Sequence, residues 1–503
     1  MPIRHQRSYS KNKKAVLMGG ASAAAVTAVA GMSDQALAQL DELVVTAQKR
    51  EQSLQSVPLA VQAFSSEDIQ RQGIDNFDDY LKRVPSMSVG ATAPGATTIV
   101  FRGAVAQPTG FDTISSSTVY LDEQPITKDG QNPDPRLIDI ERVEILPGPQ
   151  PTIYGASSQS GTLKIVTNKP DTSEFSAFID VSGSAVQKGG LGYDVNAMVN
   201  VPIVQDKLAI RLVGFYAEEP GYIDNVLATI DGGRSNANVV KEDVNRAVYS
   251  GGRFSAKLNI NESWDTVFTA SFQDTDLDGL FDVNPDRAAL TDFGITPSST
   301  ADLAQVRFSD ERRNDEWYQT ALTTTGDLGF ADLTLASAFF HRRIAYTLDA
   351  TAYNAAFRGL FQSYLAYYQY YLANPALTSI PFNTYGQFNN LYALGPNIGG
   401  SANLDQTINS FVQEVRLTSK EGGRFEWLVG AFYEYQRNKF QFFAQLDDKI
   451  GGTPGQDAFL AYYYFVPSTD ILFFSDFDRK QEQVAVFGEL TWNVTDKLSL
   501  TGG

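Results

Sequence analysis

From about residue 173 onward, apolar and polar residues alternate with a period of two, in segments joined by connections that are short and long in turn. Between Phe425 and Gln436, the positions Phe425, Trp427, Val429, Ala431, Tyr433 and Tyr435 are apolar or aromatic, while Glu426, Gly430, Glu434 and Gln436 intervene. Val484, Val486, Leu490, Trp492 and Val494 repeat the pattern against Gln483, Glu489, Thr491 and Asn493. So do Phe254, Ala256, Leu258 and Ile260 against Arg253, Ser255, Lys257 and Asn259. A period of two sends successive side chains to opposite faces of a strand, so one face meets an apolar medium and the other a wet one. Any half-exposed sheet alternates in this way, and the connections discriminate. Tight turns fall at Gln205-Asp206, Asn261 to Ser263, Asp327 to Gly329, Glu421 to Gly423 and Thr495-Asp496. Long connections fall at Glu218 to Arg246, Asp274 to Arg313, Tyr346 to Asn409 and Lys439 to Lys480, after a brief first loop near Gln187 to Gly190. Outer-membrane barrels sort their connections so, with short turns at one rim and long loops at the other, whereas a soluble sandwich has no reason to.

About eleven strands fit this pattern, the last from Lys497 to Gly503, half the number in a 22-stranded barrel. A sheet embedded in lipid must close, because an open edge leaves unpaired amides and carbonyls in hydrocarbon. The expectation is therefore a fragment of a longer reading frame, with about as many strands again beyond Gly503, ending in an aromatic residue.

The preceding part differs. Arg4, Arg7, Lys11, Lys13 and Lys14 open a basic stretch, Ala15 to Ala30 is weakly apolar, and Ala36-Leu37-Ala38 offers small residues for cleavage before Gln39. This order of parts is that of an export signal. No later stretch approaches the roughly eighteen apolar residues of a membrane-spanning helix. Acidic residues outnumber basic ones by 58 to 40, which argues against a nucleic-acid partner. Cysteine is absent, so neither disulfides nor thiolate metal sites are expected. Ser65-Ser66-Glu67-Asp68 predicts the capped start of a helix through Ile69. Phe77, Tyr80 and Leu81 predict a second short helix that Pro85 ends.

Several motifs then occur in order. Asp41-Glu42-Leu43-Val44-Val45-Thr46-Ala47 is a short β-branched run, suited to adding a strand to a partner's sheet edge from a flexible terminus. Gln55 to Val61, Ile99-Val100-Phe101-Arg102-Gly103 and Val119 to Ile126 follow. Asp139 to Leu146, Gly148-Pro149-Gln150 and Tyr154-Gly155 come next, and the run continues from Gly161 to Pro170. In this order and spacing they resemble the plug domain of the TonB-dependent outer-membrane receptors, and residues 41–47 resemble the TonB box. Gln413 to Ser419 and Val486 to Leu490 are similar to barrel strands of that family. Pro147, Pro151 and Ser160 depart from the usual basic residue and glycines, and the prolines at 147, 149 and 151 stiffen the turn and remove amide donors. Gly103, Gly148 and Gly155 read as tight turns. Arg102 and Arg142 read as partners of carboxylates on the barrel wall.

The resemblance implies a mainly β chain: an N-terminal α+β plug followed by part of a large antiparallel transmembrane β-barrel. The expected divisions are a signal peptide at 1–38, the coupling segment and flexible N-terminus at 39–50, the plug at 51–172 and the incomplete barrel at 173–503. It further implies import across the outer membrane of a Gram-negative bacterium, most often of a ferric siderophore, with glycan, cobalamin or haem in some relatives. The implied partners are TonB with its inner-membrane energising complex, outer-membrane lipid and a small-molecule ligand such as a metal chelate, with no cofactor. The coupling segment starts close to the cleavage site, so no periplasmic signalling domain is expected before it.

Catalytic constellations do not form. His341 is the one histidine after the signal, Gly155 to Gln159 lacks the closing glycine of a nucleophile elbow, and Asp274, Asp276, Asp278 and Gly279 lead to Pro285 where a calcium loop needs an acid. Tyrosines crowd 346–392, with Tyr364, Tyr367, Tyr368, Tyr370 and Tyr371 as candidate ligand contacts, and a second cluster runs from Tyr462 to Phe465. Aromatic girdles and loop packing compete for the same residues. A passive channel or adhesin and a soluble secreted protein are the rival readings. The barrel reading predicts that the full-length product stays with the membrane through a high-salt wash and is released only by detergent; release by salt alone favours the soluble protein.

Overall fold

The computed structural model describes residues 43–57, 59–74, 83–91, 93–104, 115–128, 132–155, 157–230, 234–283, 287–292, 294–299, 301–355, 399–446, 471–495 and 497–503. The export signal, the second short helix, the candidate contacts Tyr364, Tyr367, Tyr368, Tyr370 and Tyr371, and the cluster from Tyr462 to Phe465 lie outside them.

Nine strands make the first part: β1 (Val44–Val45), β2 (Gln52–Ser53), β3 (Gln62–Ser65), β4 (Met87–Ala91), β5 (Thr97–Phe101), β6 (Ser117–Leu121), β7 (Gln124–Pro125), β8 (Ile140–Pro147) and β9 (Gly161–Thr167). Five form a sheet in the order β3-β8-β9-β6-β7, with β6 and β9 parallel. Helix α1 (Ser66–Gln72) starts as the sequence predicts. The Ser65 hydroxyl accepts from the Asp68 amide at 3.1 Å, the Asp68 carboxylate accepts from the Ser65 amide, and Gly73 closes the helix with a φ of 58°. Such a cap is worth about 1 kcal/mol. Phe64, Ile69, Val119, Ile145, Leu163 and Ile165 form the core, which continues into Trp317 and Phe340 of the next part.

Eleven antiparallel strands follow as one sheet: β10 (Ser176–Ala185), β11 (Leu191–Val204), β12 (Leu208–Glu219), β16 (Ala247–Asn261), β17 (Trp264–Leu277), β20 (Arg312–Asp327), β21 (Ala331–Asp349), β22 (Gly400–Ser419), β23 (Phe425–Leu446), β24 (Ile471–Thr495) and β25 (Leu498–Gly502). Each pairs with its neighbour in sequence, and among the described residues β10 and β25 do not pair. Alternation sorts the faces. Leu212, Phe254, Val429, Val484 and Val486 point away from the plug and are exposed, while Arg211, Ser255, Gln436 and Asn438 point toward it and are buried. The strands run further than the sequence pattern indicates: β21 reaches Asp349, β22 starts at Gly400, and β23 and β24 extend to Leu446 and back to Ile471. Near that rim the alternation reverses its sense: Ile344, Tyr346, Leu404 and Phe440 point inward and are buried, while Arg343, Asp405, Arg437 and Asp478 point outward.

Two long connections fold on each other. β13 (Asp224–Asn225) lies parallel to β19 (Ala304–Gln305), and β14 (Ala228–Ile230) sits between β15 (Arg234–Ser235) and β18 (Ile295–Pro297). Ala228, Ile230, Leu290, Ile295, Val306 and Phe308 form a small core, and the Asn225 and Asn236 amides both donate to the Arg307 carbonyl, at 3.1 and 2.9 Å.

Charges hold the plug against the wall. Asp139 accepts from Arg211 and Arg253, Arg136 donates to Asp194 and Glu219, and Lys128 pairs with Glu434. The Gly95 carbonyl accepts from Arg313 at 2.9 Å and Arg342 at 2.7 Å, and Arg342 is itself fixed by Asp315. Gly95 has a φ of 70°, and a Cβ there would lie 2.0 Å from Asp315 Oδ2. Gly95→Ala should therefore cost about 2 kcal/mol or more, seen as a lower unfolding midpoint in detergent and faster trypsin cleavage of the plug.

Candidate functional site

Residues 43–50 form the site that the motifs mark. Asp41 and Glu42 lie outside the described residues. Val44 and Val45, β-branched and suited to extended backbone, pair as β1 with Ser53 and Gln52, and Leu54 N donates to Leu43 O at 2.9 Å. This corrects the expectation of a flexible terminus. Val45 and Ala47 are fully buried against Val57, Tyr120, Leu146, Ile153 and Tyr154, and only Val44 faces outward. The apolar side chains that suit strand addition also suit burial, and here burial holds them.

Thr46 sits in a polar nest. Glu144 Oε1 accepts from the Thr46 amide at 2.8 Å and its hydroxyl at 3.0 Å, while Lys164 Nζ donates to that hydroxyl at 2.9 Å. The Tyr154 hydroxyl donates to the Thr46 carbonyl at 3.2 Å. Burial, with Glu144 and Glu123 nearby, pushes the Tyr154 phenol well above its ordinary value, so it stays a donor. From Lys164 the contacts run on through Glu123, Arg416 and Glu414 to Lys49, at 2.8, 3.1, 2.5 and 2.5 Å. A chain of alternating charges thus leaves the segment at Thr46 and returns to it at Lys49. Burial raises the proton affinity of Glu123, but Lys164, Arg416 and Lys49 outweigh it and hold the carboxyl well below its usual range.

Most of the other motif residues build this nest. Gly148 (φ 114°) and Gly155 (φ 81°) bracket a turn in which Gln150 N donates to Ser158 O, and a four-residue helix, Pro151–Tyr154, carries Tyr154 to Thr46. Pro149 stands inside that turn, and Pro151 occupies the first helical position, where its missing amide costs nothing. Arg142 donates to Glu144 at 2.8 Å, to Glu141, and to Thr46 at 3.3 Å. Its partners are the plug's own carboxylates, which corrects the expectation of a wall partner: Glu141 and Glu144 flank it on β8, nearer than any wall strand. The wall carboxylates go instead to Lys49, Arg50, Lys128 and Arg136. Arg102 (φ 49°) and Gly103 (φ 77°) form a separate exposed turn after β5, where no carboxylate among the described residues pairs with Arg102.

Glu144, Lys164, Glu123, Glu414 and Arg416 were not singled out from the sequence. Lys164 carried a signal, as one charge in the otherwise uncharged run Gly161–Thr167. Glu414 and Arg416 carried another, two apart on one strand and so on one face. Elsewhere, His341 Nδ1–H donates to Asn409 Oδ1 and the ring stacks on Tyr318, and the three aspartates from Asp274 to Asp278 are met by Asn314, Arg312 and Arg246.

Residues 53–162 match the family model described as the TonB-dependent Receptor Plug Domain. The iron-regulated outer membrane virulence protein of Vibrio cholerae is 30% identical over 205 residues, 38% of this chain and 30% of that protein. The vitamin B12 transporter BtuB of Vibrio vulnificus is 27% identical over 212 residues, 41% and 32%. The ferric yersiniabactin uptake receptor FyuA of Yersinia pestis superposes with a TM-score of 0.62 at 18% identity, over 87% of this chain and 54% of that one. For the ferripyoverdine receptor of Pseudomonas aeruginosa the values are 0.60, 14%, 91% and 53%. The matches thus span about half of the solved receptors and less than a third of the curated relatives.

The nest makes a direct prediction. Glu144→Ala removes both acceptor contacts to Thr46, about 2 kcal/mol. Residues 1–503 carry no cysteine, so in a protein with any cysteine beyond them replaced by serine, an Ala47→Cys reporter should react with a maleimide markedly faster in the Glu144→Ala background than without it.

Proposed function

We propose, for a chain that belongs to the TonB-dependent receptor family, energy-coupled import of a ferric siderophore across the outer membrane. One observation carries this reading: a β-branched segment, pinned by a few polar contacts at Thr46, lies at the rim where the short turns are. Val44 shares a cleft with Glu421, Gly422 and Glu426 of the Glu421 to Gly423 turn. Short turns face the periplasm in outer-membrane barrels, so the segment lies on the side from which an inner-membrane partner can reach it. Freed from Glu144 and Lys164, residues 41–47 add as a strand to the sheet edge of TonB. Pull transmitted from the inner-membrane energising complex then rearranges the plug between the wall strands.

The iron chelate is favoured by the names of the similar proteins, an iron-regulated protein and receptors for ferric yersiniabactin and ferripyoverdine. Similarity to a vitamin B12 transporter keeps cobalamin as the second reading. Iron arriving already chelated needs no protein ligands of its own. We assign the export signal to 1–38, the coupling segment to 39–50, the plug to 51–172 and the wall to 173–503, with Tyr364, Tyr367, Tyr368, Tyr370 and Tyr371 as candidate ligand contacts.

Val45→Pro tests the coupling. Proline removes the amide that a partner strand pairs with, so energised uptake of radioactive iron from siderophore complexes should fall by about tenfold or more, while Val45→Ile transports normally. Uptake by Val45→Pro equal to that of the unaltered protein would mean a passive channel.

A further inference from the structure

We propose that Lys49 is a positioning residue: it anchors the chain to the barrel wall, so that tension on residues 43–47 frees the segment only as far as residue 48 before the plug itself is loaded. This rests on the reading of residues 41–47 as the pulled segment.

Lys49 is an unusual lysine. It is 6% exposed, has a left-handed φ of 54°, and closes a turn in which its amide donates to the Thr46 carbonyl at 2.8 Å. A left-handed residue with a side chain is held only where its surroundings over-determine it. Here they do. The ammonium lies 2.5 Å from Glu414 Oε2 and 5.7, 5.6 and 5.6 Å from the ring centres of Tyr120, Tyr154 and Phe487. Two of those rings belong to the plug, while Phe487 and Glu414 belong to the wall. Burial lowers the proton affinity of this lysine, and Glu414 opposes that shift from 2.5 Å.

The partners of the segment change at this residue. Upstream, Val45, Thr46 and Ala47 contact only the plug. Lys49 and Arg50 instead reach Glu414 on β22 and Glu426 on β23, two strands of a continuous hydrogen-bonded sheet. Downstream lie β2 and then β3, which enters the plug sheet beside β8. Tension from the N-terminal side therefore meets weak plug contacts, then a buried charge on an immobile wall, then the plug. Residues 43–48 reach at most about 20 Å when fully extended, and β1 already uses part of that length, so the slack before the anchor is loaded is shorter still.

The test applies force to the full-length protein in a lipid bilayer, through a handle on a single Leu43→Cys, pulled from the short-turn side. Neither TonB nor a ligand is needed, so the result is independent of Val45→Pro. In the unaltered background the first rupture should release less than about 20 Å, and a separate, stronger rupture should release more. In Lys49→Met, which keeps the apolar stem under the rings, and in Glu414→Gln, the stop should vanish and release should run past residue 49 in one step. A merely structural role would weaken every rupture together and leave the stop in place. That outcome, or a first rupture already longer than the slack in the unaltered protein, overturns the proposal.

Discussion

Charge buried between plug and wall has to be answered by opposite charge, and most of the architecture of this molecule follows from that requirement. The lumen side of an outer-membrane barrel is largely polar, so a globule lodged inside it is held in good part by charge. Asp139 between Arg211 and Arg253, Arg136 between Asp194 and Glu219, and Lys128 against Glu434 do that holding. Apolar contacts join them: Trp317 and Phe340 complete the plug's own core, Ala93 and Ala96 pack against Ala217, Ala247, Tyr249 and Leu277, and Ile138 packs against Met198 and Val213. Ionic contacts fix register and orientation closely, yet each can be exchanged for water or for another charge. A plug that must stay seated and still be rearranged gains from that kind of contact.

The same rule governs the N-terminal segment. Its ladder with Gln52–Ser53 is only two residues long, and two-residue ladders have little stability alone. Its position comes from Val45 and Ala47 in an apolar slot and from Thr46, whose amide, hydroxyl and carbonyl are all satisfied by plug side chains. The charge chain from Lys164 through Glu123, Arg416 and Glu414 to Lys49 ties that local arrangement to the wall. Seated segment, plug sheet and wall strand are therefore one coupled electrostatic unit.

The wall was legible because its constraint is local. A period of two and a sorted alternation of connection lengths depend only on neighbours along the chain, and they place eleven strands where the structure has them. The α1 cap was legible for the same reason, since Ser65 and Asp68 are three residues apart. Strand ends were not, because near the long-loop rim the apolar residues move to the inner face and the charges to the outer one, so an apolar-outward pattern stops before the ladder does. The two connections that pair as β13 with β19 and β14 with β18 were read as plain loops, since their partner strands lie some 70 or 80 residues away in sequence.

By itself, then, the sequence determined the membrane-facing and lumen-facing sides of each strand, the turns that need left-handed glycines, and the β-branched run at residues 43–47. It could not determine that this run is buried, that Arg142 turns to Glu141 and Glu144, or that Lys49 meets Glu414 across 365 positions. Those depend on which charges the folded chain brings within reach of one another. Electrostatic partnership between distant residues is a property of tertiary distance, and no local pattern of residue types encodes it.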